Sequence, residues 1–176
     1  NSAISTANGK YIAFLDSDDL WYPEKLEKQL SFMLLNHYSL SFTSYRKINK
    51  NGQYIGHVGI NKIEVGYLDL LKTNHIGCLT AMMDTELLGG KKYMPLIKKQ
   101  HDHGYWLSIL KEGHTAYGLN EALAAYRYRK ESISNNKIKV IPYQWQLYRN
   151  YEKLNLMYSI FYMITYAING IIKWSK

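Results

Sequence analysis

Tyr11-Ile12-Ala13-Phe14-Leu15 is continuously apolar, the mark of a strand buried on both faces. Ahead of it, Ser2 to Gly9 reads as the end of a helix, with Gly9 at the stop position. Behind it Pro23 can open a helix, because its missing N–H is not needed in a first turn. Leu26, Leu30, Met33 and Leu34 then share one helical stripe, and Glu24 and Lys28 form an i,i+4 pair. The same reading predicts strands at Ser39–Tyr45, at Gly77–Met83 ("GCLTAMM") and within Thr115–Tyr128, at "ALAAYRY". Asn51-Gly52 within "NKNGQYIG" predicts a hairpin or loop. Tyr67–Lys72 suits a short helix and Gly89–Gln100 a basic loop. Trp106, Leu107 and Leu110 fit a helix running from about Asp102 to a stop at Gly113. Strands mixed with helices in this way predict an α/β layer fold with a mostly parallel sheet.

The pattern changes at the end. Leu156 to Ile172 carries no formal charge and is followed by Lys173, Trp174 and Lys176. It is short for a membrane span, and Tyr158, Tyr162, Tyr166 and Asn169 dilute it. Aromatic residues and flanking lysines favour the interface, so a helix lying on an anionic membrane surface is expected. The alternative is a C-terminal helix packed on the domain. Residues 1–136 are accordingly read as the domain and 137–176 as a helical tail.

Composition narrows the classes. A chain of 176 residues can form one domain, or part of one, with a sizeable core. A net charge of +8 suits a solvated surface or attraction to an anionic membrane. The lysines are scattered and no nucleic-acid module is recognisable, so no nucleic-acid partner is expected. Cys78 stands alone, which excludes an internal disulfide and fits a reducing compartment. Asn1 to Lys10 is polar and small, unlike a secretion signal, and without an initiating methionine the chain reads as a fragment.

The chemistry concentrates in "FLDSDDLW", where Asp16, Asp18 and Asp19 fall within four positions. In open α/β sheets ligands sit at the carboxyl ends of strands. A D-x-D there suits a divalent cation bound through oxygen and shared with a diphosphate. Asp19 by itself suits a helix start. An EF-hand loop is excluded, because Leu20 and Trp21 stand where it needs an oxygen ligand and a glycine. A phosphatase of the haloacid dehalogenase type shares the D-x-D, and Ser41 to Ser44 could mimic its second motif, but its late acidic pair is missing. His101 and His103 around Asp102 could suggest a transition-metal site, although surface histidines at a helix start are the plainer expectation.

"NSAISTANGKYIAFLDSDDLWYPEKLEKQLSFM" closely resembles the segment around the D-x-D of family 2 glycosyltransferases with the GT-A fold, in the bacterial cell-surface polysaccharide branch. "NHIGCLTAMMDTELL" (Asn74 to Leu88) resembles that family's central strand and acceptor-side segment. "QHDHGYWLSILKEGHTAYGLNEALAAYRYRKESIS" (Gln100 to Ser134) resembles its E-D-x-x-x-W-L block and Y-R-x-x-x-x-S-x-S tail. The resemblance implies a GT-A, Rossmann-like sheet lacking its first β-α-β segment, the part that holds the nucleotide base. It implies an inverting transfer from a nucleotide-sugar donor, expected to be a UDP-sugar, to a glycan or polyprenyl-linked acceptor, at the cytoplasmic face of the plasma membrane. By that resemblance Asp18, with Asp16, would hold Mn²⁺ or Mg²⁺ and the donor. Asp102 would be the base, although His101 stands where the family carries an acid. Arg127 and Arg129 would meet the diphosphate, and Thr80 and His101 would lie on the acceptor side, with Trp106 there or in the core. A truncated, non-catalytic binding remnant is the other class that the sequence leaves open.

Overall fold

The computed structural model describes residues 1–97, 99–129 and 137–174, apart from the side chains of 137–139 and 171–174. Ser132 and Ser134 of the tail motif lie outside the described residues. The chain runs α1 (Ser2–Thr6), β1 (Tyr11–Ala13), β2 (Leu20–Trp21), α2 (Lys25–Asn36), β3 (Leu40–Ile48), β4 (Tyr54–Val58), β5 (Glu64–Val65) and α3 (Tyr67–Lys72). It continues through a 3-10 turn (Cys78–Thr80), β6 (Met82–Asp84), α4 (His101–Lys111), β7 (Ala116–Arg127), α5 (Lys137–Gln146), a π turn (Leu147–Tyr151) and α6 (Leu156–Trp174).

The sheet order is β1-β6-β3-β7-β2, with β4 beside β3 and β5 beside β7. Of its six pairings among the described residues, only β3–β7 is parallel. The sheet is therefore mixed rather than mostly parallel. A parallel pair needs a long crossover, and the chain between β3 and β7, which includes α3 and α4, supplies one. The other pairings use strands of two to five residues.

Two strands are shorter than the apolar runs that carry them. On the described sheet β1 is an edge strand, and only Ile12 of it is buried, while Leu15 is exposed. "GCLTAMM" begins as a turn, because Thr80 donates both its N–H and its hydroxyl to Gly77 O, at 2.9 and 2.7 Å; the strand starts only at Met82. The hairpin at Asn51-Gly52 forms as expected, with Gly52 at a φ of 82° that favours glycine. Helix α4 stops as expected before Gly113, which has a φ of 98°.

Alternation along β3 divides the two faces. Leu40 and Phe42 join the main core with Leu70, Leu71, Met83, Tyr105, Trp106, Leu107 and Ala116. Ser41 points to the other face, where α2 lies. Of the expected stripe Leu26, Leu30, Met33 and Leu34, α2 fully buries only Met33. Leu26 and Leu34 are exposed, and the inward face carries Lys25, Gln29 and Met33. Lys28 pairs with Glu121 at 2.7 Å.

The tail packs on the domain. Leu147, Tyr148 and Tyr162 belong to the main core. The Tyr148 hydroxyl donates to Leu71 O at 2.5 Å, and Glu152, almost wholly buried, accepts from the Tyr67 hydroxyl at 2.6 Å and from Lys111 at 3.1 Å. His103 is buried, in contrast to the surface position expected of it. Its Nε2 donates to Leu70 O at 2.8 Å, its ring stacks on Tyr166, and burial pushes its pKa down. Among the described residues no helix is long and apolar enough to cross a membrane.

Candidate functional site: an acidic turn facing the start of α4

The turn between β1 and β2 is closed by the Asp19 N–H donating to Asp16 O at 3.0 Å. From there Leu20 and Trp21 pair with Ala125 and Ala124 of β7, which brings the turn to the carboxyl end of the longest strand. Arg127 terminates β7 and ties the turn down. Its N–H donates to Asp19 Oδ1 at 2.7 Å and its Nε to Asp18 O at 2.7 Å. Its Nη1 reaches Asn49 O and Lys50 O, at 3.2 and 3.1 Å, in the β3–β4 turn. The guanidinium is thus spent on backbone carbonyls, a positioning arrangement rather than an open phosphate grip.

The three aspartates have three different environments. Asp18 faces the Arg129 guanidinium, with Nη2 and Oδ2 2.9 Å apart and both side chains substantially exposed. Asp16 is pushed above the usual carboxylate range by burial, then by the charges of Asp18 and Asp102. Asp19 is 5% exposed and is raised to about 6, chiefly by burial; its Oδ2 has no hydrogen-bond partner among the described residues. Asp19 does not start the helix, since α2 begins at Lys25 with Glu24 at its N-cap.

Asp102 lies in the first turn of α4, where Asn74 Nδ2 donates to its Oδ2 at 3.3 Å. Its charge reaches both Asp16 and Cys78. Cys78 itself feels Asp102, Asp16 and Asp19, and burial together with those charges raises its thiol to about 12. The 3-10 turn therefore lies between the acidic turn and the head of α4, and its sulfur stays a thiol at neutral pH. Carboxylates so gathered repel one another, which favours a cation or a proton among them.

Two expected acceptor-side residues do not line this space. Trp106 is wholly buried, met edge-on by Phe14 at 5.6 Å and tilted against Tyr105, so it supports the floor from below. Thr80 is also fully buried. His101 is exposed as the first residue of α4. A groove of about 440 Å³ lined by Tyr22, Lys28, Arg46 and Glu121 lies along the β2–β7 edge, and none of Asp16, Asp18, Asp19 and Asp102 lines it.

Sequence reasoning missed the ladder that holds the 3-10 turn. Trp21 Nε1 donates to Leu79 O at 2.8 Å, and Gln29 Nε2 to Thr80 O and to Ser41 Oγ, both at 2.9 Å. Lys25 donates to Gln29 Oε1 and to Thr80 O, with its ammonium 5.1 Å from the Trp21 ring centroid. The spacing of four through Lys25, Gln29 and Met33 was the readable signal, because it marks one helix face. Burial lowers the Lys25 pKa from 10.5 to about 8. Between those values the unfolded chain binds more protons than the folded one, so stability rises with pH across the window. Below about 8 the fold bears the whole cost of the buried charge. Wild type is therefore expected to gain stability relative to Lys25→Met as pH is raised from 8 to 10.5. Denaturant midpoints for both proteins across that range measure the gain, and parallel curves would remove Lys25 as its source.

The donor set fits a hard divalent cation, being carboxylate oxygen throughout. Among the described residues no three His, Cys, Asp or Glu groups converge on one point. The protein would thus supply one or two ligands and a bound phosphate the remainder, the usual division for magnesium sites.

Residues 1–88 match the family described as Glycosyl transferase family 2. A Bacillus subtilis protein named as a teichuronic acid biosynthesis glycosyltransferase, TuaG, is 43% identical over 173 residues, covering 98% of this chain and 68% of that protein. An Escherichia coli protein, the UDP-Glc:α-D-GlcNAc-diphosphoundecaprenol β-1,3-glucosyltransferase WfgD, is 39% identical over 174 residues, covering 98% of this chain and 67% of that one. Among solved structures, S. aureus TarS 1–349 in complex with UDP-GlcNAc superposes with a TM-score of 0.60 at 19% identity, covering 85% of this chain. At that identity the likeness shows the fold alone. The chain spans 46% of the length of that solved structure.

Proposed function

The chain belongs to glycosyl transferase family 2, and on that premise we propose that it contributes the metal- and acceptor-facing half of a surface-glycan transferase. The donor is a UDP-sugar and the acceptor a lipid-linked glycan carried on a polyprenyl diphosphate, at the cytoplasmic face of the membrane. The observation that carries this reading is that Asp16, just after β1, feels the charges of both Asp18 in its own turn and Asp102 in the first turn of α4.

Displacement in one step asks two things of these residues. The acceptor hydroxyl must lose its proton as it attacks the anomeric carbon, and Asp102, held by Asn74, is the carboxylate placed to take it. The diphosphate must leave with its charge compensated. Asp16 and Asp18 are the residues that would hold a divalent cation, and that cation, when bound, neutralises negative charge on the leaving group. Arg129 is paired with Asp18 across an exposed contact, and such a pair is worth only about 0–1 kcal/mol. A guanidinium suits paired phosphate oxygens, so Arg129 would meet the donor diphosphate beside Asp18. The relatives support the substrate classes: WfgD is named for UDP-glucose and a diphosphoundecaprenol acceptor.

Calorimetric titration of the full-length protein with UDP-glucose and with UDP-GlcNAc, with and without Mn²⁺, tests the reading. Binding is expected to require the metal, and Asp18→Ala is expected to weaken it at least about tenfold, as loss of a charge-assisted ligand does. Absence of metal-dependent binding, or an unchanged Asp18→Ala, would instead favour a non-catalytic binding protein.

A further inference from the structure

An apolar helix face needs an apolar environment, and among the described residues the domain covers the other face of α6. Its inward face carries Ser159, Tyr162, Tyr166 and Asn169. Asn169 donates to Lys72 O at 3.1 Å, and Tyr166 stacks on buried His103. On the opposite side Met157, Ile160, Phe161, Ile164 and Ile168 recur at helical spacing, and each is at least 45% exposed, Met157 82%. No residue from Leu154 to Ile172 carries a charge. Exposed Lys153 precedes the helix, and Lys173 and Trp174 end it.

We propose that this stripe seats α6 flat on a bilayer surface rich in anionic lipid, with the lysines at its two ends among the headgroups. The occupant follows from charge and size. The segment from Lys153 to Lys176 contains no acidic residue, and the net charge of the chain is +8. Each lysine at such a surface adds about a fivefold gain in binding. Nineteen helical residues extend about 28 Å, enough to anchor a small domain side-on, and side-on fits because no described helix can cross. Tyr158 and Trp174 at the two ends are residue types that favour the interface. A second copy of the chain is a poorer fit, since five side chains fall far below the roughly 20–30 residues a side of a standard protein interface. The purpose of the docking rests on the lipid-linked acceptor proposed above, whereas the surface itself is argued from α6 alone.

Co-sedimentation of the full-length protein with vesicles, without substrate, provides the test. Vesicles of phosphatidylcholine mixed with phosphatidylglycerol are expected to carry the protein down, less so at high salt, and phosphatidylcholine alone to carry down much less. Phe161→Glu with Ile164→Glu is expected to weaken binding at least about a hundredfold, two buried side chains being lost. Lys153→Gln should weaken it about fivefold on the anionic vesicles only. Unchanged melting temperatures and unchanged Mn²⁺-dependent UDP-sugar titrations would show that both variants remain folded and would keep this question separate from the transferase reading. Wild type left in the supernatant with both vesicle types would overturn the proposal. So would a wild-type dimer that the double variant makes monomeric while vesicle binding persists.

Discussion

Asp102→Asn, made in the full-length enzyme, is expected to lower kcat by about 10²–10⁴-fold, the usual worth of a positioned general base. The affinity for the UDP-sugar should hardly change. The amide keeps the shape of the carboxylate and still accepts from Asn74 Nδ2, so α4 begins as before. What is lost is the capacity to take a proton from the acceptor hydroxyl. Relief of one negative charge near Asp16 should lower the Asp16 pKa, since Asp102 is among the charges that raise it. Asp16 then keeps its charge to lower pH, a change separate from the loss in kcat. Steady-state kinetics with separate donor titration resolves the two. A kcat within about twofold of wild type would place the base elsewhere.

Trp106→Ala should remove about 3–5 kcal/mol of stability, measured by equilibrium denaturation. Trp106 is fully buried in α4 beneath the acidic turn, with Phe14 and Tyr105 against it. Phe14 comes two residues before Asp16, so the cavity would open directly under the turn. A loss of this size is a large part of the 5–15 kcal/mol that holds a typical domain folded. Trp106→Phe should cost far less. The indole Nε1 has no hydrogen-bond partner among the described residues, so the smaller ring forfeits volume but no bond.

The acidic turn, α4 and the later half of β7 were legible in the sequence because each depends on local rules: a motif at fixed spacing, a helix with a glycine stop, and an apolar run. What each element meets was harder to read. The leucines of α2 formed the better apolar stripe, yet α2 meets the hydroxyl of Ser41 on the sheet and the carbonyl of Thr80 in the 3-10 turn, so Lys25 and Gln29 turn inward. Periodicity reports which side of a helix is apolar, not whether its neighbour is. The same limit explains Thr80 and Trp106, which lie in segments that border the site but are themselves buried. Arg127 and Arg129 look alike in the text. The structure places the first against Asn49 and Lys50, far away in sequence, whose carbonyls accept from it, and the second against Asp18. His103 is misread from its neighbours in the same way, since its burial depends on α6, contributed by the far end of the chain.

The bonds from Arg127 to the β3–β4 turn also bear on engineering. Hairpin tips ordinarily tolerate inserted tags or linkers, because little depends on their backbone. Here the carbonyls of Asn49 and Lys50 share one guanidinium with Asp18 O. An epitope spliced in after Lys50 would pull on the same anchor that holds the acidic turn.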